Sequence, residues 1–335
     1  MAKHGSDEHP GGVMHIERRS GMSVLDEVQI PKNVPVVTVC EAGRTSRIAA
    51  TELKNRGIDV YSLEGGMKAW SLAWNKAELE DSQLKMIQIR RTGKGCLSYL
   101  IGSENEAIVV DASVNPGVYI NLAKETNWQI KYVVDTHIHA DHLSRSRELA
   151  RITKAELFMP DQDRVNFSFN KFHNDDTLKF GSSSLKAIDT PGHTIESMAY
   201  LINAKYLFTG DTLFINGVGR PDLKADADTT RAKSKVLYQS LQKLLTLPND
   251  IIVLPGHTSE PIEFDNKVVQ TALGDLKKTV GMLKLDEEDF VNTLLQRIPA
   301  TPPNYLSIVE KNLKGDFSDI NPVDLEAGAN RCAIS

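Results

Sequence analysis

Two regimes of apolar patterning divide the chain. Val34 to Val39 (V-P-V-V-T-V) reads as a short buried strand, and Cys40 to Ser46 as a loop of small and polar residues. Arg47 to Arg56 then carries Ile48, Ala49 and Leu53 at helical spacing and is closed by Gly57. A second strand-like run, Asp59 to Leu63, ends in Gly65-Gly66, and a Trp-bearing helical stretch leads into the acidic segment Glu78 to Asp81. From Leu84 the pattern changes to short β-type runs: Lys85 to Ile89, Leu97 to Ile101, Ala107 to Val110, Tyr132 to Val134, Leu185 to Ile188, Met198 to Ile202, Tyr206 to Phe208 and Ile251 to Leu254. Turns and a few helices separate them, which predicts two packed sheets rather than one doubly wound sheet. After Phe264 the pattern is mostly helical, with Val268, Val269, Ala272, Leu273 and Leu276 on one face.

The change of regime places a domain boundary near Ser82, giving domains 1–81 and 82–335. A length of 335 residues with 41% apolar content fits two cores. The net charge of −5 comes without a basic stripe or like-charge run, so neither nucleic acid nor an anionic membrane is an expected partner, and small molecules are. Three scattered cysteines do not make a disulfide framework and fit a reducing compartment. Neither an export signal nor a membrane-spanning run is visible, and a cytoplasmic location is the expectation.

Chemistry concentrates at strand ends. The run Tyr132 to Val134 leads into Thr136-His137-Ile138-His139-Ala140-Asp141-His142, four potential metal ligands within six residues. His193 in T-P-G-H-T, Asp211 in F-T-G-D-T and His257 in L-P-G-H-T occupy similar places, each after a glycine that lets backbone approach closely. Five histidines and two aspartates at the ends of apolar strands would otherwise be unexplained buried polar groups. A metal centre accounts for them together.

T-H-I-H-A-D-H, G-H-T, G-D-T and P-G-H-T resemble the signature of the metallo-β-lactamase superfamily over roughly Leu84 to Phe264. The resemblance implies an α/β fold, an αββα sandwich. The seven ligands leave open a dinuclear zinc hydrolase and a mononuclear iron oxygenase. After Asp211, T-L-F-I-N-G-V-G-R-P-D ending at Asp222 looks like the persulfide dioxygenase form, whereas glyoxalase II enzymes usually show Phe-Glu-Gly after the arginine. Thr301-Pro-Pro-Asn304 and Ala329-Asn330-Arg331-Cys332 resemble the same enzymes. That likeness implies one Fe(II) per chain on His137, His193 and Asp211, a face that leaves positions free for persulfide and dioxygen. His139, Asp141, His142 and His257 then orient the ligands, or form a second metal site in the two-zinc alternative. Arg220 and Thr194 are expected at the substrate, with Arg220 facing an anionic thiol carrier and Cys332 near the pocket. Val218 stands where the family often has cysteine. The implied reaction is oxidation of a small thiol persulfide, such as glutathione persulfide, by O2 to sulfite and free thiol, in an enzyme that is commonly a dimer.

Cys40-Glu41-Ala42-Gly43-Arg44-Thr45-Ser46 lies between a strand and a helix N-terminus, where amides and the helix dipole favour a thiolate. With I-A-A-x-x-L and G-I-D-V-Y-S-L-E-G-G-M-K-A-W after it, the segment closely resembles the second half of a rhodanese domain. Cys40 would carry a persulfide, and Arg44 and the loop amides would hold thiosulfate or sulfite. Ser6 to Ile16 resembles the middle of the first half, so the module is expected to be N-terminally shortened. Cys96, beside an apolar run, is read as core packing. Two further alternatives stay open: a glyoxalase II-like thioester hydrolase and a non-catalytic persulfide carrier or sensor.

Overall fold

The computed structural model describes residues 34–221, 225–259, 262–298 and 304–326, together with 30, 301 and 332–334. The expectations at Ser6 to Ile16, Asp222 and Ala329 to Arg331 lie outside the described residues. Contacts divide the chain into two compact units, Met1–Trp70 and Ser71–Ser335.

In the first unit β1 (Val36–Thr38) pairs in parallel with β2 (Val60–Ser62), joined by α1 (Arg44–Asn55). Ser46 and Leu53 are the buried residues of the helix. The expected buried run is only half a strand: Val34, Val37 and Val39 are 51%, 60% and 47% exposed, because among the described residues β1 has a single neighbour, β2. α2 (Gly66–Leu72) follows.

The stretch expected to run from a helix into an acidic loop instead turns into β3 (Trp74–Glu80), which pairs antiparallel with β4 (Lys85–Arg91). W-N-K-A-E-L-E buries little beyond Ala77, so its alternation is that of a charged edge strand, where the polarity suggested a helical stretch and an acidic segment. The second unit therefore begins ahead of Ser82. β5 (Leu97–Ser103), β6 (Glu106–Val110), α3 (Pro116–Glu125), β7 (Gln129–Val134), α4 (Ser146–Thr153), β8 (Glu156–Pro160) and β9 (Asn170–Phe172) complete a seven-stranded sheet in the order β3-β4-β5-β6-β7-β8-β9. The second sheet takes β10 (Thr177–Phe180), β11 (Ser183–Asp189), β12 (Met198–Ile202) and β13 (Tyr206–Gly210). The chain then forms β14 (Val218–Gly219) and α5 (Ala227–Leu245) before returning to this sheet as β15 (Ile252–Pro255) and β16 (Thr271–Ala272). α6 (Leu273–Thr279), α7 (Glu287–Arg297), α8 (Tyr305–Lys314), α9 (Pro322–Glu326) and β17 (Ala333–Ile334) end the described chain, and β17 pairs with β14.

Period-two alternation explains the layers. On β6, Ala107 and Val109 pack outward with Tyr119, Leu149 and Val309 of α3, α4 and α8. Ile108 and Val110 point inward against Leu185, Tyr200 and Phe208 of the other sheet. The far face of the second sheet is covered by Leu237 and Leu241 of α5, Leu276 of α6 and Phe290 and Leu294 of α7. This is the expected αββα sandwich. Val268 and Val269 are not on the expected helical face, since the helix starts at Leu273. Val269 instead exchanges backbone hydrogen bonds with the Gln88 side chain, 2.8 and 3.0 Å.

Two tyrosines cross the inner core to the rim. Tyr99, edge-on to Phe208 at 4.8 Å, donates its hydroxyl to the Pro255 carbonyl at 2.6 Å, and Tyr200 donates to the Asp135 carbonyl at 2.6 Å.

Candidate metal centre and thiol loop

β13 runs parallel to β15 and is related to β11 through the antiparallel β12, so β11, β13 and β15 all end at one edge of the sheet. His193, Asp211 and His257 follow those three ends, and His137 to His142 follow β7 of the facing sheet. The glycines do what the sequence asks of them. Gly210 has φ +48, and a Cβ there would lie 2.6 Å from Thr136 Oγ1; one at Gly256 would lie 2.8 Å from Asp211 Oδ1.

All seven candidate ligands are buried. Ligand atoms of His137, His193 and Asp211 lie within 4.8 Å of one another, with His137 Nε2 3.9 Å and His193 Nε2 3.6 Å from Asp211 Oδ2. His137 Nε2 and Asp211 Oδ2 are buried without a hydrogen-bond partner among the described residues, as a metal-ligating set requires. Partners on the far side aim the rings. His193 Nδ1 lies 2.7 Å from the Arg220 carbonyl, which can only accept, so Nδ1 carries the proton and Nε2 a lone pair. His137 Nδ1 lies 2.9 Å from Thr136 Oγ1, whose own proton goes to Asp111 Oδ2 at 2.9 Å, fixing the same tautomer. Burial lowers the pKa of both imidazoles, that of His137 well below its ordinary value, so both stay neutral.

Around this trio runs a chain of acid and base groups. His257 engages Asp211 Oδ1 through Nδ1 at 2.5 Å and Asp141 Oδ2 through Nε2 at 2.7 Å. Burial opposes its charge, but the two carboxylates outweigh that and raise its pKa well above the ordinary value. His142 Nδ1 lies 3.1 Å from Asp141, whose charge overrides burial and raises this imidazole to about 10. His139 Nε2 lies 3.2 Å from Asp111 Oδ1. His139 Nδ1 and His142 Nε2 are also buried without a hydrogen-bond partner among the described residues.

The remaining expected residues are distributed as follows. The Arg220 side chain is buried; it acts visibly through its backbone, whose amide donates to the Cys332 carbonyl at 3.0 Å. Thr194, half-buried, hydrogen-bonds Ser197 Oγ at 2.7 Å. Ligand atoms of Cys332 fall within 4.8 Å of Asp211 and His257, and burial raises that thiol well above its usual range. Val218 is buried in the outer core.

Cys96 is a correction. Its thiol donates to Asp141 Oδ2 at 3.3 Å, and Cys96 bridges His257 in the backbone, so it belongs to the rim of the centre rather than to core packing alone. Sequence reading also missed Asp111, Asn312 and Glu326. Asp111 carried a signal, an acidic residue closing the apolar run I-V-V, the pattern that marked the ligands themselves.

In the first unit Cys40 lies where expected. Ser46 N–H approaches its sulfur at 3.4 Å and Ser46 Oγ lies 3.3 Å away. Hydrogen bonds from the Ser46 and Thr45 side chains, with the Ser46 and Ala42 amides, lower its pKa to about 6 against the opposing effect of burial. Those groups, and not the exposed Arg44, set the thiolate.

Residues 91–257 match the metallo-beta-lactamase superfamily and residues 6–73 the rhodanese-like domain. The chain therefore carries a metallo-β-lactamase domain behind a rhodanese-like domain. Among its relatives are a hydroxyacylglutathione hydrolase of Bartonella tribocorum, 32% identical over 44% of this chain and 56% of that one, and the mitochondrial persulfide dioxygenase ETHE1 of Homo sapiens, 30% identical over 48% and 63%. The chain thus spans little more than half the length of the curated relatives it first matches. A metallo-beta-lactamase structure from Staphylococcus aureus superposes with TM-score 0.65 at 27% identity, covering 72% of this chain and 74% of that one. ETHE1 from Myxococcus xanthus superposes with TM-score 0.58 at 25% identity, covering 71% and 97%. No helix among the described residues is long and apolar enough to cross a membrane.

Proposed function

We propose that the chain is an iron-dependent persulfide dioxygenase joined to a sulfur-transfer module, oxidising a small thiol persulfide such as glutathione persulfide. The observation that carries this reading is the division of labour at the rim. Among the described residues His137 Nε2 and Asp211 Oδ2 stand unpartnered beside His193, while both nitrogens of His257 are occupied by Asp141 and Asp211. Two imidazoles and one carboxylate would hold a single ion and leave its other face free. When bound, iron supplies the redox chemistry that brings dioxygen and an anionic sulfur together. The net reaction is RSSH + O2 + H2O → RSH + sulfite + 2H⁺.

The protein's own residues do the rest. Thr136, Asp111 and the Arg220 carbonyl keep His137 and His193 in one tautomer and orientation. His257, held between two carboxylates, fixes the rotamer of Asp211. At the other module Cys40 is the nucleophile: its thiolate takes the outer sulfur of thiosulfate, the S–S bond breaks, sulfite leaves, and a small thiol then carries the sulfur away as persulfide. Tethering the two raises the local concentration of the shared intermediate.

A second reading is a dinuclear zinc thioester hydrolase, favoured by the unpartnered His139 Nδ1 and His142 Nε2, which would suit a second ion if His257 let go of Asp141. Metal quantification on protein purified without oxygen, followed by oxygen uptake with glutathione persulfide, decides between them. One iron per chain and uptake above the metal-free control is the expected result; two zincs with no uptake overturns the proposal.

A further inference from the structure

The segment from Thr136 to Arg145 carries four of the seven candidate ligands, yet it has neither helix nor strand structure of its own. Several of its backbone groups are satisfied by side chains and backbone elsewhere in the chain, as buried amides and carbonyls must be. Ile138 N–H goes to Glu196 Oε1 at 3.2 Å, and Arg145 N–H to the Ala112 carbonyl at 2.8 Å. The centre of the segment is held by the chain's late helices. Leu143 N–H donates to Glu326 Oε1 at 2.6 Å, and Ser144 N–H to Asn312 Oδ1 at 2.9 Å. Asn312 Nδ2 in turn donates to the carbonyls of His139 and His142, at 2.7 and 2.9 Å.

Asn312, on α8, is buried, and every one of these contacts is to loop backbone. Two carbonyls and one amide fix its orientation uniquely, because only the NH2 can face the carbonyls and only the oxygen can face the amide. Glu326 is fully buried, with Arg91 and Arg145 at 3.4 and 3.5 Å to balance its charge.

We propose that Asn312 is a positioning residue of the metal centre: with Glu326 it sets the backbone on which His137, His139, Asp141 and His142 stand, so coordination geometry at the centre depends on α8. This rests on the metal-binding reading of the site. Asp is the informative replacement, since it keeps the volume and the acceptor for Ser144 N–H but turns an oxygen toward two carbonyls.

The test is cobalt titration of the metal-stripped full chain, against a competing chelator, with the ligand-field spectrum recorded. Wild type is compared with Asn312→Asp, Asn312→Ala and, as a packing control one turn earlier on the same helix, Val309→Ala, which loses apolar packing in the outer core but no hydrogen bond to the loop. Both Asn312 variants are expected to bind Co(II) about 10–100-fold more weakly, the usual effect of losing a group that orients ligands, with shifted bands; Val309→Ala is expected to keep wild-type affinity and bands. A folded Asn312→Asp with wild-type affinity and spectrum overturns the proposal. So does an equal loss in Val309→Ala, or an Asn312→Asp that does not fold while Val309→Ala does. Should Asn312→Ala alone fail to fold, the isosteric variant decides. Cobalt binding asks nothing of oxygen chemistry, so a chain that shows this dependence but consumes no oxygen with persulfide removes the proposed activity and leaves the role of Asn312 intact.

Discussion

At Cys40 the fold holds a sulfur anion with hydroxyls and amides, and this has a measurable pH signature. Because folding lowers the thiol to about 6, the thiolate's contribution to stability is fully present above the ordinary thiol range and disappears as pH falls through about 6. Alkylation of Cys40 by iodoacetamide should reach half its limiting rate near pH 6, rather than near the ordinary thiol value of about 8.5. Ser46→Ala, which removes the largest stabilising group, should move that midpoint upward; an unmoved midpoint excludes Ser46 as the cause. Cys40→Ser is expected to abolish thiosulfate:thiol sulfurtransferase activity while leaving oxygen uptake with glutathione persulfide unchanged. The thiol and the candidate metal ligands were legible because they lie at or just after strand ends, the ligands as a set rather than singly. The side chains of Ser46 and Thr45, which head the groups that favour the thiolate, were not singled out in the sequence. Cys96 and Asn312 gave no local sign, because their partners are 45 and about 170 positions away.

Among the elements, the central strands were readable because burial on two faces makes a continuous apolar run, whereas β3 was not, because an edge strand need bury only one side of itself. Energetics should follow the same contrast. Leu100 on β5 is fully buried, and Leu100→Ala is expected to cost about 3 kcal/mol in urea unfolding with an unchanged denaturant slope. Lys76 on β3 pairs with Glu78 at 2.8 Å in the open, and Lys76→Ala should change stability by less than about 0.5 kcal/mol. A large loss at Lys76 would mean that the edge is covered. The order of helices late in the chain was only partly visible: Val268 and Val269 are apolar enough for a helix, but Val269 is drawn out to pair with Gln88, a long-range demand that periodicity does not record.

For the molecule as a whole, two compact units predict two separable behaviours. Residues 71–335 expressed alone should unfold cooperatively and bind metal with the affinity of the full chain; a fragment that binds metal tenfold more weakly would show that the first unit supports the centre. The layered architecture was foreseeable because strand spacing and ligand order both point to a sandwich, but its boundary moved toward the N-terminus once a polar strand joined the sheet. The hydroxyls of Tyr99 and Tyr200 carry one further consequence. Each phenol is rooted between the sheets and tethers a carbonyl just ahead of a ligand-bearing turn, so the greasy middle of the sandwich and its inorganic rim form one mechanical piece. Warming the loaded protein should therefore release the ion and quench the ordered tyrosine signal over the same few degrees, with no interval in which an intact scaffold has already let go of its cargo.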